Sequence, residues 1–493
     1  MMKNNIIKII ALLLIALSFN ACSDEYFNVN TPSGTADVED LRMNDLLAPV
    51  IHSTMEAQRS AELTFGNYTQ YFVFSGGGAA GKTTQAGLWN QIYLYILPNV
   101  KVIKEKSITK GAFHFGAVAD ILVAINLGIA TDTWDNIPYS EANLSQENLS
   151  PAYDSQQEIY TEIFTLLDNA ITALEAPDNS GFSMGNSDLI YGGDFSKWLR
   201  AAYTLKARYQ LHLLNKGVSS SDVLTTIANG FNSNEDNFKM DYNATNLNPW
   251  YISEISNRTT GNYSRDIASQ LVSTMNGDQY PFIGGTVLID PRLPVFAENG
   301  GVAEWKGFVS GTPDGLSPDG SNANTGFATG GYYTSETSPL MLISYAEALF
   351  IKAEATFLAN GGSTTSIGSN AMAYTAYMDG VNASMAMYGV SGSDYVADGS
   401  VAVGEAGLML NHIMKEKYIH NFLNPETFVD YRRYDFSTDV FKGLIIREEE
   451  DLHGEYYGEW FLRATYPSSE INSNSVNAQA NYKTPTEPVW WDM

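Results

Sequence analysis

Residues 151–175 read PAYDSQQEIYTEIFTLLDNAITALE, and the spacing of their apolar side chains decides the fold class. Ile159, Ile163, Leu166, Ala170, Ile171 and Leu174 recur at intervals of three and four, the period of a helix that buries one face. Pro177 and Gly181 follow, where such a helix stops. Working outward, Asp194 stands where a cap is needed before a second stripe, Trp198, Ala202, Leu205, Tyr209 and Leu213, which ends near Gly217. Pro339 fits the first turn of a third helix carrying Leu342, Ala346, Leu349, Ala353 and Phe357, stopped by Gly361 and Gly362. The same periodicity predicts helices over residues 88–106, 111–130, 371–388 and 405–422. Successive helices with short connections imply stacked helical hairpins in a mainly α fold, without a clean 34-residue repeat.

Composition narrows the function classes. The 493 residues are 44% hydrophobic and 17% charged, enough to bury a large core and too apolar for a disordered chain. Acids number 55 against 28 Lys plus Arg, a net charge of -27 that repels phosphate backbones, so no nucleic acid is expected as a partner. The single cysteine, Cys22, excludes an intramolecular disulfide framework and a thiolate zinc cluster. The six histidines show no HExxH or other close ligand spacing, and neither GxSxG nor a P-loop occurs, so neither metal nor cofactor is expected. The contiguous run Glu448-Glu449-Glu450-Asp451 reads as a solvated face, and the oxygen-rich residues 314–324 lack EF-hand spacing and an acid at the closing position.

Residues 131–142, TDTWDNIPYSEA, resemble the segment "D-x-[FW]-G-x-[IV]-P-Y-[ST]-E-A" of the SusD/RagB family of surface glycan-binding lipoproteins, in particular its SusD-like second subgroup. Asn136 takes the place of the usual glycine and, like glycine, tolerates positive φ. Pro151 to Tyr160 is similar to the family's opening of the next helix. Gly193 to Trp198 with Lys206 and Arg208, then Asp290-Pro291-Arg292, Ser344 to Glu347, Ala353-Glu354-Ala355, Tyr431-Arg432-Arg433 and residues 463–470 continue the resemblance in order. Of these, Trp198, Arg208, Asp290, Arg292, Glu347, Arg432 and Arg433 read as packing or pairing residues of the scaffold. The resemblance implies one SusD-like domain over residues 39–493 with tetratricopeptide-like hairpins, about 39–240 and 339–435, and a loop-rich ligand-facing insertion at about 241–338. It also implies a SusC-like TonB-dependent transporter as partner and no catalysis.

At the N-terminus, Lys3 and Lys8 accompany the apolar residues 9–17, with Ser18 and Ala21 before Cys22. This pattern reads as a lipoprotein signal over residues 1–21, with Cys22 the lipidated residue and 22–38 a tether. Ser23-Asp24-Glu25 resembles the acidic tag that sends lipoproteins of the Bacteroidetes type to the cell surface. The expected location is the outer membrane, facing the cell exterior, held through the lipid anchor alone.

A pyranose offers one apolar C–H face and a fringe of hydroxyls, so its binding site needs an open aromatic face flanked by amides or carboxylates. Trp250, Tyr251, Tyr280, Trp305, Tyr332 and Tyr333 lie among Gly, Asn and Asp in the insertion, and Tyr68 and Tyr71 precede an early Gly-rich loop. These eight are the candidate glycan-binding residues, with Asn67, Asn248, Asn322 and Asn324 as candidate hydroxyl partners. Trp89, followed by Tyr93 and Leu97 on one helical face, reads as core. The acidic chain suits a neutral oligo- or polysaccharide, such as laminarin-type β-glucan, starch or chitin oligosaccharide, better than an anionic one. A RagB-like peptide-uptake protein and a surface glycoside hydrolase stand as alternatives.

Overall fold

Ser155 begins the first helix read above through a capping box. Its hydroxyl accepts from the Glu158 amide at 3.3 Å, and the Glu158 carboxylate accepts from the Ser155 amide at 2.8 Å. The computed structural model describes residues 39–493 except 75, 77, 79–80, 143–147, 263–264, 312–314, 447–455 and 457. The signal, Cys22, the tether to residue 38 and the acidic run at 448–451 lie outside the described residues.

The main helices begin with α1 (Met43–Tyr68), α2 (Leu97–Lys110), α3 (Phe113–Trp134), α4 (Gln156–Glu175), α5 (Phe195–His212) and α6 (Ser220–Ile227). They continue with α7 (Ser269–Met275), α8 (Tyr345–Ala359), α9 (Ala371–Tyr388), α10 (Leu410–His420) and α11 (Glu426–Arg433). Packing follows the chain: α2 on α3, α3 on α4, α4 on α5, and α5 on α6 and α8; α8 in turn covers α9 and α10, and α1 lies across α2 and α3. Because α3 is surrounded, it carries buried residues on all sides rather than one stripe, from Phe115 to Trp134. β1 (Phe72–Phe74), β2 (Phe238–Met240), β3 (Arg265–Ile267), β4 (Ala297–Glu298), β5 (Gly326–Phe327) and β6 (Leu340–Ile343) form three antiparallel pairs, β1 with β3, β2 with β6 and β4 with β5. The fold is mainly α, as expected.

Four expectations change in detail, the first being that the helix expected over 405–422 divides into a short turn, Gly404–Gly407, and α10. The third helix does not start at Pro339: residues 340–343 are β6, a continuous apolar run buried on both faces, and α8 begins after Ser344, whose hydroxyl accepts from the Glu347 amide. Residues 88–106 divide into a short helix, a π-helical stretch Gln91–Ile96, and α2, which has Pro98 in its first turn. In the 131–142 segment the positive φ belongs to Asp135, at 75°, not to Asn136. Asn136 acts through its amide instead, donating to Asn481 Oδ1 at 2.8 Å and accepting from the Gln156 amide at 3.1 Å.

The motif residues pair inside the scaffold. Arg208 on α5 donates twice to Glu347 on α8, at 2.8 and 2.7 Å, and Trp198 Nε1 donates to Asp188 at 2.8 Å. Arg292 holds Asp290 and Glu416, each at 2.6 Å, with all three side chains sealed from solvent. Such pairs lose heavily if one partner is removed, because the other charge stays buried. Asp132 of α3 accepts from Tyr160 and from Trp491 Nε1, both at 2.7 Å, and His212 Nε2 lies 2.7 Å from Glu426.

Candidate functional site

Between β2 and β6 the chain forms only short elements, and part of this stretch lines a cavity of about 830 Å³. The lining takes Ser269, Val272 and Ser273 from α7, Asn276, Asp278 and Gln279 from the turn after it, and Trp305 and Lys306 from a later segment. Backbone pairing fixes that segment beside the start of α7: the Ser269 amide donates to Phe308 O at 2.7 Å, and the Phe308 amide to Ile267 O at 2.9 Å. So close an approach requires glycine at 307, where a Cβ would meet Ala268 O at 2.6 Å. The outer edge of the segment is held by Asn324, whose amide donates to Lys306 O at 2.9 Å and whose Oδ1 accepts from the Lys306 amide at 3.1 Å. Gly443, at φ 77°, also lines the cavity, and a Cβ there would fall 1.8 Å from Gln279 Nε2.

The charge of the lining is acidic. Lys306 Nζ reaches Asp319 at 3.0 Å, Glu304 at 3.2 Å and the Ser321 hydroxyl at 2.7 Å, and among the described residues it is the lining's one Lys or Arg. The hydroxyls of Ser317 and Ser321 hold the Asp319 carboxyl well below the usual range, with Lys306 adding to the effect. Asp319 and Glu304 in turn raise the Lys306 ammonium above its ordinary value. Asp278 contributes a further carboxylate. An indole with carboxylate, amide and hydroxyl oxygens around it can stack on an apolar ring face and bond its hydroxyls. Among the described residues no group of three or more His, Cys, Asp or Glu is placed to hold a metal ion.

Of the eight candidate rings, Trp305 is half-buried and lines this cavity. Five are interior, which corrects their reading as bare rings. Trp250 is only 1% exposed, tilted against Phe72 at 6.2 Å, with its amide and that of Tyr251 bound by Asn248 Oδ1 at 2.7 and 3.0 Å. Tyr71 stacks on Tyr418 at 4.5 Å and donates to Tyr418 O at 2.6 Å. Tyr68 is buried beside Phe461 and Phe428 and donates to Gly81 O. Tyr280 is buried under the Lys442 and Lys415 ammonium groups, and Tyr333 against Tyr388, their hydroxyls 3.2 Å apart. In each case the scaffold covers the ring, so the aromatic area serves the core.

Tyr251 and Tyr332 stay half-buried but outside the cavity. The first donates to Glu336 at 3.1 Å, and the second meets Tyr333 and Tyr388 edge-on at 5.0 and 4.9 Å. Asn67, Asn248 and Asn324 bind backbone groups, whereas Asn322 is exposed in a turn bridged to Leu316. Sequence reasoning missed Asn276, Asp278 and Gln279. The turn signal Asn276-Gly277-Asp278 marks their loop, but nothing local shows that it lines one cavity with Trp305. Asp319 and Ser317 lie in the oxygen-rich loop at 314–324, whose sequence lacks EF-hand spacing and carries no sign that it lines a cavity with Trp305. A second cavity, of about 370 Å³, is lined by Trp89, Tyr93, Pro138 and Glu470. There Trp89 is buried on Tyr93 at 4.4 Å, in keeping with its core reading.

Residues 35–442 match the SusD-like family described as "Starch-binding associating with outer membrane". Among solved structures, a chitin-binding SusD homolog from Flavobacterium johnsoniae is 21% identical with a TM-score of 0.70, over 92% of this chain and 98% of the other. A SusD homolog from Bacteroides uniformis is 21% identical with a TM-score of 0.72, over the same shares. A chitin-binding protein is 24% identical with a TM-score of 0.73, over 92% of this chain and all of the other. These likenesses establish the fold. No curated protein matches the chain.

Proposed function

The chain belongs to the SusD/RagB family, and from that premise we propose that it is a non-catalytic binding protein that captures an oligo- or polysaccharide and delivers it to a SusC-like TonB-dependent transporter. The observation that carries this reading is Trp305, an accessible indole held by backbone pairing in a large cavity with acids, amides and hydroxyls around it. The family's description as starch-binding and the names of two chitin-binding structural neighbours support a glycan as the ligand. The net charge of -27 and the acidic lining favour a neutral glycan, such as laminarin-type β-glucan, starch or chitin oligosaccharide. Anchoring through a lipid on Cys22 would place the protein at the outer membrane, facing outward.

One indole with a few polar partners gives weak capture, with dissociation constants of about micromolar to millimolar, or about -8 to -4 kcal/mol. Weak capture suits release to a transporter. Affinity electrophoresis in gels containing neutral polysaccharides tests the proposal. Retardation in at least one gel is expected for the wild type, and Trp305→Ala should abolish it with an unchanged melting temperature. Equal retardation of the variant removes Trp305 from the site.

A further inference from the structure

The lining of the cavity around Trp305 includes aliphatic side chains that the hydroxyls of a plain sugar do not match. Leu288 is 79% exposed, and it lines the cavity with Ile289, Ala303 and Pro318; Val302, 52% exposed, adjoins Ala303. Scattered exposed aliphatics are ordinary, but Leu288, Ile289, Ala303 and Pro318 line the same cavity as an indole. The C–H face of a hexose satisfies the indole and leaves the aliphatic wall in water. A substituent bearing a methyl group would cover that wall, and an amide linking it to the ring would need polar partners of its own. The cavity has them at hand in the hydroxyls of Ser269 and Ser273 and the carboxylate of Asp278.

Charge points the same way. Glu304, Asp319 and Asp278 outnumber Lys306 in the lining, and Lys306 is already paired to the first two. Lys442, which precedes the lining residue Gly443, sits with its ammonium 4.8 Å from the Tyr280 ring centroid. A carboxylate-bearing sugar finds no free cation among these groups. From wall and charge together we infer that the cavity selects glycans built of 2-acetamido-2-deoxyhexoses over plain hexose or uronate chains. The inference deepens the glycan-capture reading above and rests on it.

The test uses three β-1,4-linked hexasaccharides that differ only at C2: cellohexaose with hydroxyl, the glucosamine hexamer with amine, and the N-acetylglucosamine hexamer with acetamide. Calorimetric titration of the wild-type protein should give at least tenfold tighter binding for the acetamido hexamer than for cellohexaose. Leu288→Ser, at so exposed a position, should keep the wild-type melting temperature and weaken the acetamido hexamer at least fivefold without changing cellohexaose. Equal affinities for these two hexamers, or an equal loss for both in Leu288→Ser, overturns the acetamido selection and leaves glycan capture standing. The selection also fails, with capture intact, if the amine hexamer binds tightest, or if starch or laminarin fragments bind and none of the hexamers does. A folded protein that binds no glycan at all overturns both.

Discussion

His212 and His420 are both buried, yet they titrate in opposite senses. Burial opposes charge on His212, but Glu426 and Asp132 outweigh it and raise the ring above its ordinary value. The stability it contributes is present below about pH 6.5 and lost as pH rises through its folded value. His420 lies between the hydroxyls of Ser344 and Ser384, at 2.5 and 3.0 Å, and burial, aided by Arg292, pushes it down to about 3. Its neutral form is favoured in the fold, so the stability it contributes is present above about pH 6.5 and lost as pH falls toward 3. His420→Gln should therefore lose less stability than the wild type between pH 7 and pH 5, by up to about 1.4 kcal/mol per pH unit. Urea midpoints across that range measure it, and parallel curves would refute it. Single residues are also where the sequence is least informative about the site. Trp250 and Trp305 both stand among polar, loop-forming residues, but Asn248 folds the first back onto the scaffold while Gly307 holds the second in the cavity wall. That difference is made by contacts distant in sequence.

Local signals suffice for most helices. Gln156–Glu175 follows from its stripe, and the bounds of Ala371–Tyr388 follow from its periodicity to the residue. Asp194 does cap α5, accepting from the Ser196 and Lys197 amides at 3.0 and 3.3 Å. Asp194→Ala should cost about 1 kcal/mol, read as a lowered urea midpoint with the far-ultraviolet spectrum unchanged. No loss would show that the amides find water equally well. The stretch after Pro339 misleads because Leu340-Met341-Leu342-Ile343 is a short, fully apolar run, in which helical and strand periods look alike. Its partner Phe238–Met240 decides the matter from about a hundred residues away.

Over the whole molecule, 55 acids against 28 bases set a repulsive field for anionic polymers. In alginate gels the protein should migrate without retardation at about 20 mM salt, where screening is weak, as well as at about 150 mM. Retardation at low salt that vanishes at high salt would reveal a basic patch able to override the net charge. The fold class, the scaffold pairs and the family are legible because they rest on helical periodicity and ordered motifs; the cavity is not, because α7, residues 303–307 and Gly443 meet only in three dimensions. Trp491 has a consequence of another kind. Its indole bonds Asp132 of α3, its amide bonds Gln156 of α4, and Arg432 lies over its ring at 4.8 Å. A nascent polypeptide can make α3 and α4 early but cannot seal them until residue 491 has been synthesised, 335 residues after Gln156, so completion of the interior waits on chain made much later.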